Sequence, residues 1–394
     1  MSTRTPPARR PVLRHPPAGV GPRPRRPRRR WRRIATIAAL LCLLPAIFSY
    51  VEMLTKRSDS SLSIRTVEWL RDNGARGLVN RVESIYYSLN APAKGGPALR
   101  SLPQQPGVAG APAHALSRSL PAYRPRRLRP VIHPALPGEG DWRATFAGGG
   151  PRPPVLVTSF RPDPSYPQLV AGVAWIDHTR TSTWLYPGAQ EPAVSMSSRG
   201  PMEIPVSRRH NLVAAFNSGF KLSDSGGGFA SGGHTYAPLH RGVATIVRYR
   251  SGRVDVTAWS GGPQAGENVV YARQNLPLIV SGARPNPNLS DGPEWGATLG
   301  NAIRVWRSGV GIDRHGNLIY AAANDQTVGS LAAILVHAGA VRAMELDINS
   351  YWTSFITYRR PGATGAANLL VDMDRSTQRY LTQDDRDFFA VYLR

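Results

Sequence analysis

Cysteine is almost missing from this chain: 394 residues hold one, Cys42. No intrachain disulfide is available, so an exported domain must rest on a hydrophobic core rather than covalent staples. Metal-binding patterns are missing too. No H-E-x-x-H occurs, and His234 and His240 lack ligand spacing, which argues against a zinc enzyme and leaves no metal residue to name. A P-loop and a dinucleotide fingerprint are both absent, so no cofactor is expected. Lysine is confined to Lys56, Lys94 and Lys221. Acidic residues are lacking from two long stretches, 1–33 and 91–137, which carry about 12 and about 7 basic residues respectively.

That distribution explains the formal net charge of +24. Residues 34–90 come out near +1, leaving about +4 for everything after 137. A nucleic-acid-binding fold concentrates basic surface on the fold itself, so no nucleic-acid partner is expected. The arginine excess travels with alanine, proline and glycine, and by itself assigns no function.

Charge is also missing from Ile34 to Tyr50, IATIAALLCLLPAIFSY. With Val51 to Leu54 the run reaches about 20 residues, interrupted only by Glu52, enough to cross a bilayer as a helix. The arginines upstream place the N-terminus in the cytoplasm by the positive-inside rule, and the rest outside. No small-x-small cleavage site follows the run, and Leu40-Leu41 before Cys42 do not make a lipoprotein box. The organisation expected is therefore a cytoplasmic Arg/Pro-rich tail over 1–33, a signal anchor over 34–54, membrane-proximal helices over 55–90, a Pro/Ala/Arg-rich linker over 91–140, and one extracellular domain over 141–394. This makes a single-pass protein of the cell membrane.

Within 63–90, Val67, Leu70, Leu78, Val79, Val82 and Ile85 recur at helical spacing with a break at Asn73-Gly74. Two short amphipathic helices are expected, packed on the main domain or lying on lipid. Residues 91–140 have the composition of an extended linker. After Trp142, short apolar runs alternate with Gly/Asn/Asp turns. Ile246 to Trp259 reads as a hairpin turning at Ser251-Gly252, and a second strand pair flanks Arg314 to Asn317. One helix stands out, Thr327 to His337, capped by Asp325 or Thr327 and ended near Gly339. Many strands and few helices predict an α+β fold on a mostly antiparallel mixed sheet.

The chemistry-bearing residues cluster late. If Val341 to Asn349 is one strand, Glu345, Asp347 and Asn349 share a face beside Tyr351 and Trp352, while Met344, Leu346 and Ile348 face a core. Two carboxylates near aromatic rings resemble a glycan site; the plain alternative is that one of them pairs with an arginine and holds the fold. Asn217, Ser218 and Gly219 open a glycine-rich segment whose backbone N–H groups can approach a ligand, or which is simply a surface loop. Ser218 and Lys221 match S-x-x-K, but Lys-Thr-Gly is absent from the chain. Arg307 can bind phosphate bidentately or serve as a structural ion-pair partner.

The order of these segments resembles the phosphodiester glycosidase family. Its Asn-Gly-Gly-Phe-Phe, Arg-Thr-x-x-Gly and Asn-Leu-Asp-Gly-Gly-Gly-Ser motifs correspond to Asn217 to Lys221, Arg307 to Gly311 and Glu345 to Ser350. The likeness covers about 210–360. It implies hydrolysis of a phosphodiester at a sugar's anomeric carbon, with Asn217, Arg307 and Asp347 carried over by position. Two departures stand out. Ile348-Asn349 replaces the Gly-Gly after the aspartate, and Ser218-Gly219 keeps only half of the other glycine pair. The expectation is thus a membrane-anchored hydrolase acting on a sugar phosphodiester of the cell envelope. Asp347, Glu345 and Arg307 are its catalytic candidates; Asn217, Ser218, Gly219, Asn349 and Trp352 are its substrate-binding ones. The alternative is a non-catalytic module binding envelope glycans on the same fold.

Overall fold

The computed structural model describes residues 28–103, 124–145, 152–289, 295–296, 304–360 and 362–394. It divides into two units, 1–56 and 57–394. Among the described residues the first unit contributes one helix, α1 (Arg28–Thr55), which contains Pro45. Its segment Trp31–Thr55 is long and apolar enough to cross a membrane. The cytoplasmic tail expected over 1–33 lies largely outside the described residues.

The second unit is α+β, built on three antiparallel sheets with few helices. The largest has eight strands, and at its centre the strand Val305–Ile312 pairs with Leu318–Gln326 across the turn foreseen at 314–317. Strand Arg342–Glu345 lies on the other side of Val305–Ile312. One five-stranded sheet contains the Ala244–Tyr249 and Val254–Ala258 hairpin. The other joins Leu212–Asn217 to Phe355–Arg360 and Phe388–Leu393.

Period-two alternation explains how the large sheet is buried on both faces. Leu318, Tyr320 and Ala322 point into a core shared with Phe216, Phe355 and Phe389 of the smaller sheet. Ile319, Ala321 and Ala323 point the other way, beneath Val328, Leu331 and Leu335. Those three belong to the helix Val328–His337, whose N-cap Thr327 exchanges bonds with Ser330 in a capping box. This helix approaches the sheet over Gly309, where a Cβ would lie 3.0 Å from Leu335 Cδ1 and 2.9 Å from the Met344 carbonyl oxygen. No side chain fits between them.

Two further helices belong to this unit: α2 (Leu62–Leu70) and α3 (Arg76–Leu89). They are divided at Asn73-Gly74, where Gly74 takes a φ of +92°, a left-handed conformation open to glycine without strain. Within the stretch expected to be a linker, residues 124–140 lie on the domain. Leu128 is buried, Trp142 Nε1 donates to the Arg126 carbonyl, and buried Glu139 pairs with Arg161 at 2.9 Å. Composition hid this docking, because two or three anchoring side chains suffice to hold a proline-rich stretch.

Candidate functional site

Three segments converge where the strand ending in Asn217 meets the end of Arg342–Glu345. A hydrogen-bonded chain ties them. Asn217 Nδ2 donates to Ser308 Oγ at 3.0 Å, and Ser308 Oγ donates to the Asp347 carbonyl at 2.7 Å. Asn217 Oδ1 in turn accepts from Tyr320 OH at 2.9 Å and from the Ser354 amide at 3.1 Å. Both ends of the Asn217 amide are thus engaged within the protein, and the side chain is buried. Gly219 packs directly on Asn275, where a Cβ would stand 3.0 Å from the side-chain carbon Cγ. Ser218 is also buried, and its carbonyl receives the Asp347 amide at 3.1 Å.

The strand expected to run to Asn349 stops at Glu345. Asp347 and Asn349 therefore do not share a strand face with Glu345, and the carboxylates separate into two environments. Glu345 is fully buried and accepts from Arg307 Nη1 at 2.6 Å, while Arg307 also donates to the carbonyls of Gln326 and Trp295 at 3.0 and 3.1 Å. Burial pushes the Glu345 carboxyl up to about 7, against the opposing pull of Arg307. With 0% exposure, Arg307 stands behind the site and serves as the ion-pair partner of Glu345. This is the structural role weighed for it beside the phosphate-binding one.

Asp347 has a different neighbourhood. Its Oδ1 accepts from the Asn349 amide at 3.0 Å, and its Oδ2 lies 3.6 Å from Arg386 Nη2. Burial raises its pKa above the usual carboxylate range, with Arg386 opposing. Asp347, Ile348, Asn349, Phe220, Lys221 and Arg386 line one cavity, together with Arg71, Arg76, Glu83 and Tyr87 from the helical segment 71–89. The side chains of Ile348 and Asn349 thus stand where the resembled family keeps glycines. Trp352 is buried rather than open to a ligand, with Arg386 stacked 4.9 Å from its ring centroid.

Arg386 and Glu68 were not singled out by sequence, and Lys221 entered only through the S-x-x-K match and the Asn217 to Lys221 motif. Glu68, on α2, bridges the two cations: its carboxylate lies 3.1 Å from Lys221 Nζ, 3.5 Å from Arg386 Nη2 and 3.1 Å from Trp352 Nε1. Burial works against the Glu68 charge, yet Arg386 and Lys221 overcome it and hold its pKa below the usual value. Arg386 Nε and Nη1 are buried without a hydrogen-bond partner, so the guanidinium keeps unused capacity for an anion. With α2 and α3 seated, the enclosed space is about 80 Å³. That admits a few waters and is far below the roughly 300 Å³ at which small-molecule sites begin. Among the described residues, no group of three His, Cys, Asp or Glu side chains is placed to hold a metal ion.

No protein-family profile matches the sequence, and no curated protein is similar to it in sequence. Solved structures align with parts of the chain. A hypothetical protein from Synechocystis aligns with a TM-score of 0.38 at 16% identity, over 62% of this chain and 63% of its own. The zebrafish N-acetylglucosamine-1-phosphodiester alpha-N-acetylglucosaminidase catalytic domain, auto-inhibited by its pro-peptide, aligns with a TM-score of 0.41 at 14% identity, over 64% of this chain and 87% of its own.

Proposed function

We propose that this chain is a membrane-anchored extracytoplasmic hydrolase that cleaves a sugar phosphodiester of the cell envelope at the anomeric carbon. The observation that carries the reading is a single cavity in which Asp347 stands with Arg386 and Lys221, the other charged lining residues being paired as Arg71–Glu83 and Arg76–Asp224. Arg386 and Lys221 supply the charge that a phosphodiester needs. Asp347, whose pKa burial raises above the usual carboxylate range, is the group placed to deliver a proton to the departing phosphate oxygen. The bond from the anomeric carbon to that oxygen breaks, and water supplies the new hydroxyl, its other proton returning to Asp347. The order of the Asn217, Arg307 and Asp347 segments supports the same reaction class, with Arg307 and Asn217 acting as supports rather than ligands. Glu345 remains electrostatically coupled to Asp347 from behind the site.

In this closed arrangement Glu68 occupies the anion's place, so substrate entry requires α2 and α3 to move. The topology that goes with the reading has the arginine-rich tail in the cytoplasm and residues 57–394 outside. Release of free sugar and phosphomonoester from a synthetic sugar phosphodiester by the full chain in detergent tests it. Product that persists undiminished in Asp347→Asn removes the proposal.

A second reading has its own observation: Ile348 and Asn349 fill part of the cavity. A glycan-binding module on the same fold retains affinity for the phosphodiester and releases no product.

A further inference from the structure

An amphipathic helix on a globular domain ordinarily turns its apolar stripe inward. The helix α3 does the reverse. Leu78, Val82, Ile85, Tyr86 and Leu89 are 54–81% exposed. At 100° per residue they fall within an arc of about 100°. The opposite side carries the polar contacts: Arg76 pairs with Asp224 at 2.8 Å, Glu83 pairs with Arg71, and Tyr87 lines the Asp347 cavity. Val79 is the buried apolar residue of α3. Rotating the helix to hide its stripe would break both ion pairs, so the outward apolar face belongs to the docked state.

We infer that the outer face of α3 lies in the headgroup boundary of a lipid bilayer, which holds the Asp347 cavity one helix away from that surface. The inference rests on the membrane-anchored reading above and narrows its substrate to a lipid-borne sugar phosphate. Six residues separate α1 from α2, a connector of at most about 20 Å, so a bilayer crossed by α1 is within reach. Arg81, exposed on the rim of the stripe, and the acid-free basic stretch 91–137 match anionic headgroups. A second copy of the chain is a poorer fit, because the apolar face of one 14-residue helix falls short of the roughly 20–30 residues a side of a stable interface. The helix thus has two working sides, one lining the cavity and one meeting lipid.

The test uses the full chain in phosphatidylcholine nanodiscs with and without phosphatidylglycerol. A fluorophore is placed at Val82→Cys, Leu89→Cys or the inward Ser84→Cys in a Cys42→Ser background, and at native Cys42 as the anchor control. Lipid-borne spin labels are expected to quench the probes at 82 and 89 several-fold more than the one at 84, more strongly with phosphatidylglycerol. Val82→Glu with Ile85→Glu, both at exposed positions, should abolish this quenching at 89. Quenching of 82 and 89 by aqueous iodide alone overturns the inference. Protection from both quenchers with energy transfer between copies overturns it in favour of self-association. If the Cys42 probe is lipid-quenched while 82 and 89 are not, only the α3 contact fails. If Cys42 is not lipid-quenched, the anchored reading fails with it.

Discussion

The Glu68 carboxylate stands 3.5 Å from the same Arg386 nitrogen, Nη2, that lies 3.6 Å from Asp347. One cation is therefore divided between a carboxylate on α2 and the carboxyl in the cavity. An anion that draws on this nitrogen competes with Glu68 for Arg386.

Replacing Glu68 with glutamine leaves Arg386 and Lys221 without their shared counter-ion. Affinity for a simple sugar phosphate is expected to rise by about 1–2 kcal/mol, roughly 5- to 30-fold, while the melting temperature falls. Titration calorimetry on the full chain in detergent reads the first effect and thermal unfolding the second. Unchanged or weaker affinity means that Glu68 does not occupy the anion's place.

Asp347→Asn keeps the size of the side chain and removes its proton chemistry. Hydrolysis is expected to drop by about 10²-fold or more, the scale of a lost general acid, with the fold retained and sugar-phosphate binding preserved. Arg386→Ala should instead raise KM more than it lowers kcat. A loss of binding equal to the loss of turnover in Asp347→Asn would point to a ligand-contacting role without proton transfer.

Arg307 is expected to behave as a structural residue. Arg307→Ala strands Glu345 as a buried, uncompensated carboxyl, at a cost of about 3–5 kcal/mol. Arg307→Met combined with Glu345→Leu removes both charges and should recover much of that loss. Chemical denaturation of the singles and the double measures the coupling. Additive losses would show that the two side chains do not support each other.

Stability should fall as pH rises through neutrality. Burial raises Glu345 from 4.5 to about 7 and Asp59 from 3.8 to about 6. The folded state therefore holds these protons more tightly than the unfolded chain. Their contribution is complete below the ordinary carboxylate range and is lost as pH climbs through the folded-state values. Glu68 and Glu139 are shifted the other way, and their contribution fades only in acid. Melting temperatures from pH 5 to 8 should decline, and the decline should be shallower in Glu345→Gln. An identical slope in that variant removes Glu345 as its source.

Local signals carried the strands and the one well-marked helix. Thr327, one of the two caps offered, announced the helix start, and glycine or asparagine at 252 and 316–317 announced the turns, because these choices act over a few residues. The membrane-proximal break at Asn73-Gly74 was legible for the same reason. Alternation failed at Asp347, since the ladder beyond Glu345 is cut by a loop that donates the Asp347 amide to Ser218 instead of a strand partner. Arg386 was illegible because it lies among Asp384, Asp385 and Asp387, where a charge reads as a solvated surface. Only the tertiary fold brings it to Glu68. A dense mixed-charge run directly before a wholly apolar strand was the available hint.

The separation of Glu68 from Arg386 by 318 positions has a consequence for biogenesis. During translation α2 and α3 emerge first, with their polar sides facing nothing. Their counterpart is made only after all the strands of the domain but the last, Phe388–Leu393, have been threaded out. A nascent chain must therefore keep an apolar stripe and an unmatched carboxylate solvated, or parked on the lipid beside its insertion point, until Arg386 arrives. Closing that loop is among the longest-range steps in the fold, and so it should be among the slowest.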